Sequence, residues 1–341
     1  MEYFVGIDLG TSSVRAVAVD AAGKTAAAGQ CEYDIKKPGL DRAEQDMNQL
    51  WEATVLAIRK MLEEKPEIRT QIKGIGFSGQ MHGLVMVDQE IRPLGNAIIW
   101  ADQRTGEQIS HIYETVPEEE FGKVFENRLS AGFLLPSLVW VREKEPETYE
   151  KIYKVMLPKD YIRYKICGEL GTDASDASST GMWDMKHRTW AYDILKKLDI
   201  SRDFLVESHE SYEEAGRVTE ECAGLTGLAK GTFVAYGGGD SLMMELGNGM
   251  IRGGLMASTI GTACHLTCAL DAPLYDPKLR TNTWWHGGEH LWSIMGAHLS
   301  GGVALKWLKN NILGSESFDA MTALAGEVPA GSEGLLFLPY L

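Results

Sequence analysis

Alternation of strand-like and helical segments, with several strand hairpins, predicts an α/β protein whose mixed sheets are flanked by helices. Two further observations sharpen that class. The chain has 341 residues, beyond the size at which one hydrophobic core usually stops growing, so two domains are expected. Residues 5–12 and 256–263 also share one pattern: an apolar strand, a Gly-Thr turn, then a strand that begins with small residues.

Residues 3–19 read as two strands around Gly10-Thr11, and Ala21-Ala22-Gly23 turns the chain into a third over 25–33. Arg42-Ala43-Glu44-Gln45-Asp46 then leads into a helix. Its apolar positions Leu50, Val55, Ile58, Met61 and Leu62 approach helical spacing, and Pro66 lies beyond its end. Residues 72–77 predict a buried strand, 84–87 a second strand turning back, and 97–100 another short one. From about 106 to 152 the pattern is mostly helical with a charged face, and 157–166 is an apolar-basic helix. Residues 172–180 are rich in Ser, Asp and Ala, and read as too polar for a core. A helix near 192–198 follows, and a strand over 232–236 delivers Gly237-Gly238-Gly239-Asp240. The domain boundary is placed after Asp240, giving domains at 1–246 and 247–341.

A formal net charge of −15 argues against a nucleic-acid surface or an anionic membrane partner. Cys31, Cys167, Cys222, Cys264 and Cys268 form a scattered set, which reads as reduced thiols instead of a disulfide framework. The first strand begins within three residues, without a basic and apolar leader, and no apolar run nears the ~20 residues that span a bilayer. A cytoplasmic protein is expected.

Some motifs fail on context. Gly74-Ile75-Gly76-Phe77-Ser78-Gly79 matches a dinucleotide fingerprint, but its glycines fall inside a strand instead of opening a helix. His286-Gly287-Gly288-Glu289-His290 matches a zinc pattern that needs a helix, and two glycines cost such a helix about 2 kcal/mol. A hairpin turn is expected there. No GxxxxGK[ST] loop occurs, so phosphates need another cradle.

The paired Gly-Thr hairpins supply one, through backbone N–H groups and hydroxyls. Asp8 ends the first strand, where its charge would repel phosphate unless a divalent cation bridges them. Magnesium held by Asp8 and Asp240 is therefore expected, the alternative for Asp8 being a bond to its own turn. Three glycines before Asp240 imply that bulky ligand groups approach that backbone closely. Gln80-Met81-His82 follows a strand end, where α/β sheets bind ligands. Gln80 and His82 would bond hydroxyls and Met81 would pack on a carbon face, although a structural histidine is as ordinary. Trp100 with Asp102 and Arg104 forms a second such cluster; a sugar-facing Trp and a core Trp stay open.

Assembled, these residues resemble the FGGY carbohydrate kinases, nearest to their xylulokinase branch. The resemblance rests on Gly6-Ile7-Asp8-Leu9-Gly10-Thr11-Ser12, Gly79-Gln80-Met81-His82-Gly83, Leu157-Pro158-Lys159-Asp160-Tyr161, Thr172-Asp173-Ala174-Ser175-Asp176-Ala177 and Gly237-Gly238-Gly239-Asp240, in that order. It implies an actin-like fold of two ribonuclease-H-like domains, with a sugar and ATP in the cleft between them. It also places Asp240 on the general base, and Met81, His82 and Trp100 on the sugar pocket. Gly10, Thr11, Ser12 and Arg15 fall on the first phosphate hairpin, Gly261 and Thr262 on the second, and Gly302 beside the nucleotide. Ser241 stands where xylulokinases usually carry Asn, and Trp100-Ala101-Asp102 where they usually read Trp-Asn-Asp; Gln80, Asp102 and Ser241 remain substrate-side candidates.

The implied reaction moves the γ-phosphoryl of MgATP to a sugar hydroxyl, expected to be the terminal one of a ketopentose. Ribulose, gluconate and glycerol are alternative acceptors; an actin-like ATPase and a kinase-derived sugar-binding protein are alternative classes. A homodimer stays open. In the family the segment ending at Leu341 continues into a Gly-Glu-Arg stretch and an adenosine-binding region. A second domain shortened at that point, and weak activity of this chain alone, are therefore expected.

Overall fold

The computed structural model describes residues 2–261, 264–298, 300–314 and 317–338. Thr262 and the apolar end at 339–341 lie outside the described residues. Strands β1 (Tyr3–Leu9), β2 (Ser13–Asp20) and β3 (Thr25–Glu32) form the meander that the turn residues predict. In β1 the side chains alternate strictly between buried and exposed. Tyr3, Val5, Ile7 and Leu9 are buried, while Phe4, Gly6 and Asp8 stand on the open face. Helix α1 (Met47–Glu64) covers the buried face with Leu50, Ala57, Ile58 and Met61. Asp46 caps it by accepting the Asn48 N–H.

Strand β4 (Ile72–Gly79) runs parallel to β1 at the centre of the sheet. Helix α2 (Pro158–Cys167) packs on the same core as α1, and α3 (Ala174–Ala177) is a single turn that leads away from it. Strands β5 (Glu214–Arg217), β6 (Phe233–Ala235) and β7 (Gly238–Gly239) complete the sheet. Its order is β5-β6-β4-β1-β2-β3, with β7 also pairing β4. This is the mixed, helix-flanked sheet that the alternation predicts. Helix α4 (Asp240–Gly247) leaves β7 toward a second, wholly antiparallel sheet. That sheet contains β8 (Met256–Ile260), β9 (Cys264–Leu270), β10 (Asn282–Trp285) and β11 (Trp292–His298), in the order β8-β9-β11-β10. Helix α5 (Gly302–Leu308) follows it.

Three local expectations change. Residues 85–87 do not turn back on β4 but pair with Lys154–Met156 in a sheet of their own. Helices between 106 and 197 bury a second core around Phe121, Leu138, Trp183 and Leu195, which sequence periodicity did not separate from the first. Residues 172–180, read as too polar for a core, are all buried. Much of their charge is met internally: Lys159, fully buried, sets its ammonium 2.7 Å from Asp160, 3.0 Å from Asp173 and 3.6 Å from Asp176. Burial works against that charge, but the three carboxylates outweigh it and hold the Lys159 pKa above its usual value.

The His286–His290 stretch is the connection between β10 and β11, where Trp285 pairs with Trp292, as its glycines predict. All five cysteines are free thiols. Among the described residues, no helix is long and apolar enough to cross a membrane.

Candidate active site

Three neighbouring parallel strands, β1, β4 and β7, end on one edge of the first sheet. Their register sets Asp8, Ser78 and Gly238 in one row, and Leu9, Gly79 and Gly239 in the next. Asp240 follows at once as the first residue of α4. Asp8 is exposed and accepts the Ser78 hydroxyl at 2.9 Å. Asp240 is half-buried and accepts the Ser241 N–H at 2.7 Å. Burial pushes Asp240 up to about 6, and the Asp8 charge adds to the shift while the Ser241 bond opposes it. The two carboxylates therefore sense each other across the edge of the sheet.

The glycine run has a reason other than the expected one. Gly237 takes a left-handed φ of +73°, and a Cβ there would meet the Phe77 carbonyl oxygen at 2.4 Å. A Cβ on Gly238 would meet Ser175 Oγ at 2.6 Å, and one on Gly239 would meet Met81 Cγ at 2.7 Å. The close approaches come from the protein itself, so ligand bulk is not needed to explain the glycines.

Beyond β4, Met81 is buried against Leu242 and Trp284. His82 has a φ of +75°, a strained conformation for a non-glycine residue. Its ring stacks on Phe133 at 4.3 Å, and its Nδ1 lies 2.7 Å from the Ser179 carbonyl oxygen. A carbonyl only accepts, so Nδ1 carries the hydrogen and Nε2 keeps a free lone pair. Burial pushes the imidazole down to about 4 despite the Ser179 carbonyl, leaving it neutral at pH 7. A neutral, oriented imidazole of this kind suits a hydroxyl donor.

The Gln80 amide nitrogen and the Asp102 carboxylate are taken up by protein groups. Gln80 is buried and donates to Gln45 Oε1 at 2.6 Å, while Gln45 donates to the Thr11 carbonyl at 2.6 Å. It braces the strand-end loop against the first hairpin. Asp102 is fully buried, and its carboxylate accepts from Arg104 and from the Ala43 N–H at 2.7 Å. The bidentate Arg104 pair occupies the oxygens that a sugar would need. Trp100 is 48% exposed and donates its indole N–H to Thr11 Oγ1 at 3.0 Å, joining the two candidate clusters.

In the first hairpin Gly10, Thr11 and Ser12 form the turn between β1 and β2, with the Gly10 N–H on the Ser13 carbonyl at 3.1 Å. Arg15 sits opposite Asp8 across β1 and β2 and reaches Gln30 at 3.0 Å. The second hairpin pairs Ile260 with Cys264, and Gly261 accepts the Gly302 N–H at 2.7 Å. Gly261 and Gly302 are thus brought together; Thr262 lies outside the described residues.

At its far end α4 is tied to the second sheet. Glu245 accepts the Ser293 hydroxyl at 2.9 Å and lies 3.5 Å from His286 Nε2, all three buried. The Gly288 N–H donates to His286 Nδ1 at 2.8 Å, so Nε2 carries the imidazole hydrogen. Burial pushes Glu245 up to about 7 and His286 down to about 4.

The residues behind the site, Asp173, Ser175, Ser178, Ser179 and Glu245, were not legible as site residues in the sequence. The available signal was the Lys159-Asp160 pair in a helix whose other residues read as core. Residues 3–247 match the FGGY family of carbohydrate kinases, N-terminal domain.

The chain belongs to the FGGY carbohydrate kinases.

It is 33% identical over 341 residues to a xylulose kinase of Bacillus subtilis (strain 168), covering 100% of this chain and 68% of that protein. A gluconokinase of the same organism is 30% identical over 349 residues, covering 99% and 67%. A solved xylulose kinase structure from Rhodospirillum rubrum superposes with a TM-score of 0.94 at 27% identity, covering 99% of this chain and 70% of that one. The fold is therefore the actin-like one, and this FGGY kinase is a phosphotransferase with a sugar acceptor. The cavity of about 930 Å³ between Glu120 and Lys197 holds none of the candidate residues. A smaller one of about 430 Å³ opens beside Asp8, Ser78 and Gly237.

Proposed function

We propose that the protein transfers the γ-phosphoryl group of ATP to the terminal hydroxyl of a ketopentose, D-xylulose giving D-xylulose 5-phosphate. The acceptor follows the names of the similar kinases, and the chemistry follows from Asp240. One observation carries the reading: a carboxylate at the meeting point of three strand ends, pushed up to about 6 by burial and by Asp8. A base of that strength is ionised at neutral pH and still able to take a proton in the transition state.

Asp240 accepts the hydroxyl proton as the sugar oxygen attacks phosphorus, and the P–O bond to ADP breaks. His82 orients the acceptor by receiving a hydrogen bond at Nε2, with Met81 packing on the sugar's carbon face and Trp100 closing the pocket. Ser241, beside the base, faces the same hydroxyls. Gly10, Thr11, Ser12 and Arg15 from one side, and Gly261 and Gly302 from the other, flank the phosphates. Asp8 and Asp240 are a fitting donor pair for magnesium, which typically takes one or two carboxylates plus phosphate oxygens and would neutralise developing charge. Base catalysis of this kind is worth about 10²–10⁴-fold, and positioning supplies much of the rest.

The test is a coupled ADP assay on the purified protein, with xylulose, ribulose, gluconate and glycerol as acceptors. Xylulose should give the highest kcat/KM. Asp240→Asn should lower kcat by about 10²-fold or more while calorimetry still detects sugar binding. Retention of more than about a tenth of the rate would remove Asp240 from the role of base. A gluconate preference would instead favour the reading that the second relative's name suggests.

A further inference from the structure

Three serine hydroxyls in the buried turn at residues 172–180 share one arrangement. Ser175 Oγ donates to Asp173 Oδ2 and accepts the Gly239 N–H at 3.2 Å. Ser178 Oγ donates to the Ser175 carbonyl at 2.6 Å and accepts the Trp285 N–H at 3.0 Å. Ser179 Oγ donates to the Asp176 carbonyl at 2.7 Å and accepts the His82 N–H at 3.3 Å.

A hydroxyl has one proton to give. Each of these protons is committed inward, which leaves a lone pair facing outward toward a distant backbone amide. The inward bonds alone are ordinary, because serines in short helices often bond back to the preceding turn. The outward ones are not local. They reach the residue before Asp240, the loop that carries His82, and a strand of the second sheet.

The inward side is held in place as well. Asp173 Oδ2 also accepts the Ser175 N–H at 2.8 Å and the Ser211 hydroxyl at 3.1 Å, and its other oxygen faces Lys159 at 3.0 Å. An ionised acceptor therefore fixes the direction of the Ser175 proton. Sterics fix the distance, since a Cβ on Gly238 would lie only 2.6 Å from Ser175 Oγ.

We propose that Ser175, Ser178 and Ser179 are positioning residues: from one buried turn they set the base, the sugar loop and the second sheet relative to one another. This rests on the reading of Asp240 as base and of Met81-His82 as sugar loop. The three hydroxyls should then be separable in function. Ser175 governs the alignment of Asp240, and Ser179 the placement of His82.

The experiment compares Ser175→Ala, Ser175→Cys, Ser179→Ala and Asp240→Asn with the parent protein. Ser175→Ala should lower kcat about tenfold with the sugar KM unchanged, within the ~10² that a 1 Å misplacement can cost. Ser179→Ala should do the reverse, raising the sugar KM and the calorimetric Kd about tenfold. Ser175→Cys, close in size but a weaker acceptor, should fall between. Amide hydrogen exchange gives a readout without turnover: the Gly239 amide should speed up only in the Ser175 variants, and the His82 amide only in Ser179→Ala. Parallel losses in kcat, KM and melting temperature in both alanine variants would mean packing alone, and would overturn the proposal. So would unchanged exchange at Gly239 and His82. If Asp240→Asn keeps its rate, the base assignment falls by itself, and the exchange pattern still decides whether the turn holds these amides.

Discussion

At the edge of the first sheet, Asp8 and Trp100 are exposed; Asp8 accepts a hydrogen bond from Ser78, and Trp100 donates one to Thr11. Behind that edge, residues 172–180 are entirely buried, and the serines among them bond both inward and outward to protein groups. The two regions serve one site by opposite means. The edge keeps polar atoms open to the outside, whereas the turn's serine hydroxyls bond only to the protein. On the proposed reading, affinity and chemistry belong to the first region, and placement to the second. Substitutions in the two should therefore fail differently.

The largest effect belongs to the buried side. Lys159→Met leaves Asp160, Asp173 and Asp176 without their shared ammonium in a site that water does not reach. Removing one partner of a buried ion group typically costs 3–5 kcal/mol, so a loss of at least about 3 kcal/mol is expected in a urea melt. A loss below about 1 kcal/mol would erase the contrast between the two regions.

A middling effect, of opposite sign, belongs to Asp240. Its pKa is raised in the folded protein from 3.8 to about 6, so the native state binds this proton more tightly than the unfolded chain does. The resulting stability is full below about pH 4 and is lost as pH rises through about 6. Asp240→Asn should thus raise stability at pH 8 by an amount on the order of 1–3 kcal/mol, read as a higher melting temperature, and show no gain near pH 4. In the parent enzyme kcat/KM should fall about tenfold per pH unit below about 6, as the base becomes protonated. A flat profile from pH 5 to 8 would separate the ionisation of Asp240 from the rate.

The smallest effect is at the edge. Trp100→Phe removes the indole donor to Thr11 but keeps most of the ring, and Trp100 is 48% exposed. A stability change below about 1 kcal/mol is expected by thermal melting. Any larger loss would place Trp100 with the buried framework.

The same contrast explains what could be read from the sequence. Strands and helix α1 follow from short-range pattern: Tyr3, Val5, Ile7 and Leu9 alternate, and Leu50, Ile58 and Met61 recur at helical spacing. The Gly-Thr hairpins and Gly237-Gly238-Gly239-Asp240 announce themselves through turn chemistry. Residues 172–180 carry no such signal. Their burial depends on Lys159, supplied by a different helix, and no local rule predicts which distant cation will neutralise a polar stretch. Gln80 and Asp102 were read as ligand-facing for the converse reason. Both follow strands, but Gln45 and Arg104 claim them first.

Helix α4 carries Asp240 at one end and Glu245 near the other, and it is only eight residues long, about 12 Å. Its front follows Gly239, which pairs with the first sheet, and its rear is tied to the second through Ser293. A rod so short, clamped at both ends, behaves as a lever with no slack. On the proposed reading of Asp240 as proton acceptor, any shift of the second sheet would be passed along this helix to the carboxylate.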